Sequence, residues 1–122
     1  MPRTSENAAG AAQVAAPTCR LPAIVDAMPT KMASTIFCRR DGELVGVPYP
    51  DCHRDATIVA AALLARGVRP GDRVAIHGGS SYEWVLADLA CLITGAVSVA
   101  LYPNAPPERV VGTARESRCQ LV

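Results

Sequence analysis

The 122-residue sequence is short of several things at once. Aromatic residues make up only 4% of it, lysine occurs once, as Lys31, and the formal net charge is +1. A chain this close to neutral lacks the concentrated positive field that phosphate backbones attract, which excludes nucleic acid as an expected partner. The core has to be built from Val, Ile, Leu and Ala, because rings are too few to supply the buried area. No apolar run reaches the length of a bilayer crossing, and the longest, Val85 to Ile93, is interrupted by Asp88. No basic leader followed by an apolar stretch opens the chain, so no export signal is expected.

Cys-x-x-Cys is also missing. The five cysteines, Cys19, Cys38, Cys52, Cys91 and Cys119, are odd in number and widely spaced, unlike a disulfide framework or a zinc site. Cys52, Cys91 and Cys119 fall within apolar patterns and read as small buried hydrophobes. Reduced thiols then predict a cytoplasmic protein.

Half of the residues are hydrophobic, which is too apolar for disorder throughout, and the length suits one domain. Residues 1–18, rich in alanine, are expected to form a disordered tail ahead of a structured part spanning 19–122. Leu21, Ile24, Val25 and Met28 have helical spacing, ended by Pro29. Ile36 and Cys38 lead to Asp41-Gly42, and Leu44, Val45 and Val47 follow, the pattern of a β-hairpin whose second strand Pro48 and Pro50 confine to an edge. Asp51 is placed to cap a helix with a stripe of Cys52, Ala56, Val59 and Leu63; Arg54 and Asp55 lie off that stripe. Gly67 ends this helix.

A Pro70-Gly71 turn precedes a strand over Arg73 to His77. Ser80 or Ser81 caps a helix to Thr94, closed by Gly95, and Val97 to Tyr102 reads as a strand covered on both faces. Pro106 and Pro107 suit the start of a further helix reaching Ser117, and Cys119 to Val122 begins another strand. Strand, helix, strand, helix, strand predicts an α/β fold: the start of a parallel-sheet layered domain with helical crossovers, preceded by a β-hairpin. The helix before Gly95 carries Trp84, Val85, Leu86, Leu89, Leu92 and Ile93 around most of its circumference. That pattern, with an open final strand, implies that more protein covers it, either the remainder of the same domain or a second chain.

Candidate sites are few. Gly78-Gly79-Ser80-Ser81 between strand and helix offers either a phosphate cradle or a tight turn with a cap. Neither Gly-x-Gly-x-x-Gly nor a Walker loop is present, and the turn is the favoured reading. His77, near Asp72 and Glu83 in sequence, has no nucleophile in a defined place to serve, and His53 is expected to be exposed. Asp88, on the helix side shared with Cys91 and Gly95, needs a partner if buried, and a structural hydrogen bond is its expected role. Arg39-Arg40 reads as a solvated hairpin face. No residue is therefore assigned as catalytic, cofactor-binding or metal-ligating.

The stretch Gly67-Val68-Arg69-Pro70-Gly71-Asp72-Arg73-Val74-Ala75-Ile76 resembles the first signature of the adenylate-forming superfamily. Tyr49, Glu83-Trp84, Ala87, Leu89-Ala90 and Gly95-Ala96-Val97 follow the same pattern at the same distances. Leu101-Tyr102-Pro103 with Pro107-Glu108 is similar to the long-chain acyl-CoA synthetase branch. Cys52, where leucine is usual, and the extra glycines of 77–81 depart from it. The resemblance implies an ATP-dependent ligase that activates a carboxylic acid as an acyl-adenylate and transfers it to coenzyme A, using Mg2+. It also implies that the phosphate-holding loop, the adenine and ribose contacts and the catalytic lysine lie beyond these residues. The expectation is an amino-terminal scaffold, inactive by itself. A small non-catalytic module that self-associates or binds a partner through its sheet edge is the alternative, and a free-standing mononucleotide binder a third.

Overall fold

The computed structural model describes residues 21–122; the expected tail and Cys19 lie outside them. Helix α1 (Leu21–Ala27) runs into a 3-10 turn, Met28–Thr30, that accommodates Pro29. Val25 and Met28 are buried, whereas Leu21 and Ile24 are exposed despite their helical spacing.

Strands β1 (Thr35–Arg40) and β2 (Glu43–Pro48) form the expected antiparallel hairpin, with Arg40 opposite Glu43. Asp41 and Gly42 both have positive φ, at 51° and 85°, the tight turn whose twist matches that of the two strands. The hairpin is a separate two-stranded sheet, so both of its strands are edges.

Helix α2 (Tyr49–Ala65) starts earlier than the sequence suggests. Pro48, extended at φ −58° and ψ 145°, is the N-cap, and Asp51 lies inside the first turn. Pro50 fits there because a first-turn N–H has no partner within the helix. Asp51 instead accepts a hydrogen bond from Arg54 Nη1 at 2.8 Å. Cys52, Ala56 and Leu63 are buried as the stripe requires, joined by Ala60, while Val59 is half-buried.

The second sheet contains β3 (Arg73–His77), β4 (Val97–Leu101) and β5 (Cys119–Leu121), all parallel, in the order β4-β3-β5. Helix α3 (Tyr82–Thr94) connects β3 to β4, and α4 (Pro107–Glu116) connects β4 to β5. Strand β3 is central, and its Val74, Ala75 and Ile76 are buried. Strand β4 is at the edge and half-exposed along most of its length. The continuous apolar run of β4 therefore does not report cover on both faces within these residues, and the strand stops one residue before Tyr102.

Two apolar clusters hold the layers together. Ala60, Leu63, Val68, Val74, Ala90, Cys91 and Ala96 join α2 and α3 to β3. The small side chains Ala60 and Ala90 lie where α2 and α3 pack closely. Val25, Met28, Cys38, Cys52 and Tyr82 join α1 and the hairpin to the same two helices.

Candidate functional site

The direction of the two crossovers decides where a ligand-facing surface forms. From β3 the chain passes to its neighbour β4; from β4 it returns across β3 to β5 on the far side. Right-handed crossovers in opposite directions place α3 and α4 on opposite faces of the sheet. In line with this, α3 packs on β3 and β4, and α4 packs on β4 and β5. The segments leaving the carboxyl ends of β3 and β4 therefore diverge. In open parallel sheets, the crevice at such a point is where ligands bind.

A crevice of about 330 Å³ occupies this place. Gly78, Gly79 and Ser80 form one lip, Leu101, Tyr102 and Pro103 the other, and Trp84 borders it from α3. Tyr102 is 82% exposed, so its ring is free to meet a ligand or further chain.

The loop from β3 to α3 is a turn with a helix cap. Ser81, extended at φ −141°, accepts a hydrogen bond from the Trp84 N–H at 3.1 Å. Glu83 occupies the first turn, where its charge complements the helix dipole. Its carboxyl is held below the ordinary value, chiefly by the backbone N–H at its own position and then by the Ser81 hydroxyl. One hydroxyl already engaged and a carboxylate alongside make a poor seat for a polyphosphate. Gly78 and Gly79 are not forced by a close approach either, because a Cβ at either would meet nothing within 4 Å.

The remaining candidates are dispersed. His77 is exposed at one end of β3, and Asp72 lies at the other, roughly 15 Å away at the rise of a strand. Asp72 Oδ2 accepts from the Arg69 N–H at 2.8 Å and so belongs to the turn. His53, expected to be exposed, is half-buried on α2 beside the buried Cys52. Asp88 takes the structural role foreseen for it, accepting from Ser98 Oγ at 2.6 Å. Arg39 and Arg40 are exposed; Arg39 donates to the Gly42 carbonyl at 3.0 Å, and the Arg40 guanidinium stands 5.4 Å from the centre of the Tyr82 ring. Among the described residues, no group of three His, Cys, Asp or Glu side chains gathers to hold a metal.

One cluster escapes a reading by periodicity. Tyr82, only 5% exposed, donates its hydroxyl to Asp55 Oδ2 at 2.9 Å, joining α3 to α2. Fully buried Cys52 belongs to the same cluster. Burial, and then the bond to Asp55, raise the Tyr82 phenol, and burial raises the Cys52 thiol. The helical stripe leaves Asp55 off the apolar face, and only its position one turn after Asp51 hints at a second role.

The sequence profile of the AMP-binding enzyme family matches residues 14–122. The chain belongs to that family. It is 34% identical over 77 residues to the long-chain-fatty-acid–CoA ligase FadD15 of Mycobacterium bovis, a match covering 63% of this chain and 13% of the ligase. It is 37% identical over 76 residues to acetyl-coenzyme A synthetase of Escherichia coli, covering 62% of this chain and 12% of the synthetase. The N-terminal subdomain of Klebsiella oxytoca NpsA superposes with a TM-score of 0.71 at 23% identity, over 84% of this chain and 26% of that one. The superposition establishes the fold, a mixed α/β unit with a parallel sheet and a preceding hairpin. The chain spans about an eighth of the length of such curated relatives.

Proposed function

We propose that this chain forms the opening α/β layer of an ATP-dependent, AMP-forming acid–thiol ligase. In that reaction a carboxylate oxygen attacks the α-phosphorus of ATP, pyrophosphate leaves, and an acyl-adenylate results. The sulfur of coenzyme A then attacks the acyl carbon, and AMP leaves with the electron pair of the broken C–O bond. The observation that carries the reading is the family match across 14–122, a span that includes the β3-α3-β4-α4-β5 unit.

ATP and Mg2+ do not fit the groups present. The α3 N-terminus carries Glu83 and a Ser81 hydroxyl already bonded to Trp84. No step of the ligation is therefore assigned to these residues. Their role is to form the sheet and one wall of a ligand crevice, with the reacting groups supplied by the remainder of the longer ligase. The free thiols of Cys38, Cys52, Cys91 and Cys119 accord with a reducing compartment, and we place the protein in the cytoplasm.

The test is acid-dependent exchange of pyrophosphate into ATP. The 122-residue chain by itself should give none, with or without coenzyme A. The product of the coding frame read beyond Val122 should give exchange with at least one acid in a series of chain lengths. Exchange by the short chain, or its absence from a longer product across the series, overturns the proposal.

A second reading is a non-catalytic module that pairs through its sheet edges, favoured by the half-exposed β4 and the short edge strand β5. Light scattering that shows a folded, strictly monomeric chain excludes it.

A further inference from the structure

We propose that Tyr82 is a positioning residue for the crevice, fixing through its buried ring and its bond to Asp55 the loop that forms one lip. Between Ile76 and Tyr82 no residue is buried, so the loop 77–81 hangs between those two anchors. Ile76 is held by its pairing with Ala100 in the sheet. Tyr82 has no sheet partner. It is held by the 2.9 Å bond across 27 residues of sequence to Asp55, by the Arg40 guanidinium 5.4 Å from its ring centre, and by the apolar cluster that includes Cys52.

The loop has little else to fix it. Gly78 and Gly79 carry no side chains, and Ser80 is exposed. The Ser81 hydroxyl binds forward to Trp84, within the same helix end. Trp84 itself lines the crevice two residues after the anchor. A helix start that is free to shift would carry Ser81 and Trp84 with it. The Asp55 bond therefore transmits the position of α2 to the crevice lip.

The inference rests on reading the crevice as a ligand-facing surface, and Trp84 lets the two claims be separated. Trp84 is the sole tryptophan, so its emission and its quenching by acrylamide report the lip directly, with no ligand present. In the intact chain, Tyr82→Phe keeps the ring and removes the bond. Loss of one hydrogen bond should increase the opened population about two- to tenfold, which raises Trp84 quenching and moves its emission maximum. Asp55→Ala should reproduce that change, and Asp55→Asn, which keeps an accepting oxygen, should restore the wild-type signal. Arg54→Ala removes the 3.3 Å contact to Asp55 and should leave Trp84 unaffected.

A purely structural bond predicts something else: a lowered melting temperature for both Tyr82→Phe and Asp55→Ala with Trp84 quenching and emission unchanged. That result overturns the proposal. If Tyr82→Phe fails to fold, the Asp55 pair decides, since that side chain is about one-third exposed and its replacement leaves the ring packed. Pyrophosphate exchange by the short chain, or its absence from a longer product, would count against the ligase reading and leave the Trp84 result standing.

Discussion

Ser98 Oγ donates to Asp88 Oδ1 at 2.6 Å, and the bond ties the middle of α3 to the second residue of β4. Its two ends come from an apolar helix and an apolar strand, and it is the bond that each side chain makes among the described residues. Asp88→Ala should lower stability by about 1–3 kcal/mol, because the bond is charge-assisted and the serine is left unpaired. Ser98 is half-exposed like Asp88, so Ser98→Ala should cost a similar amount, with the carboxylate left to water. Urea denaturation of the two single variants and the double variant checks this. The double variant should be no worse than Asp88→Ala; strictly additive losses would show that the pair is not coupled.

Alkaline pH should weaken the fold through Cys91. The thiol is 1% exposed, and burial, followed by the nearby charge of Asp88, pushes it from 9.0 up to about 11. Above pH 9 the unfolded chain releases this proton while the folded chain retains it. The contribution is therefore complete below pH 9 and is lost as pH rises through about 11, amounting to roughly 2–3 kcal/mol at most. Cys52 and Tyr82 shift in the same direction. Cys91→Ala isolates one group: its stability should fall less steeply between pH 9 and 11 than that of the parent. Parallel curves for the two proteins would refute the assignment.

Two glycines that look alike in sequence should respond differently to alanine. Gly95 closes α3 at φ +74°, and a Cβ there would lie 3.3 Å from Pro70 Cβ. Left-handed backbone costs an L-residue about 1–2 kcal/mol, and the contact with Pro70 adds to it. Gly78 has neither a positive φ nor a neighbour within 4 Å of its Cβ position. Thermal melts should show Gly95→Ala several degrees below the parent and Gly78→Ala close to it. An equal effect at both positions would mean that backbone entropy alone governs them.

The elements with local signals were legible from the sequence. Asp41-Gly42, Gly67, Gly71 and Gly95 mark chain reversals at which the backbone must be left-handed, and each does adopt a positive φ. The limits of β3, α3 and α4 follow from those reversals and from the prolines near 70 and 106. The role of Asp88 was legible too, because a carboxylate within an apolar helix demands a partner. What was not legible depends on strand order. The apolar run of β4 cannot tell a central strand from an edge strand, and only the return of the chain across β3 makes β4 the edge. The same return creates the crevice, so Tyr102 and Trp84 acquired a shared place that no spacing rule gives. Asp55 was missed for a similar reason, since its partner Tyr82 is 27 residues away.

The glycine-serine loop separates cap from cradle by one residue. Ser81 accepts from the Trp84 N–H at 3.1 Å and has the extended backbone of an N-cap. Ser81→Ala removes the acceptor and should lower stability by about 1 kcal/mol. Ser81→Asn keeps a short accepting oxygen in place and should recover most of that loss. Ser80→Ala should do almost nothing, because Ser80 is exposed and makes no bond among the described residues. A phosphate seat predicts the reverse order of importance: stability indifferent to Ser81, and melting temperature raised by millimolar inorganic phosphate in the parent but not in Ser81→Ala. Thermal melts of the three variants with and without phosphate distinguish the two, and a phosphate shift that needs the Ser81 hydroxyl would overturn the cap assignment.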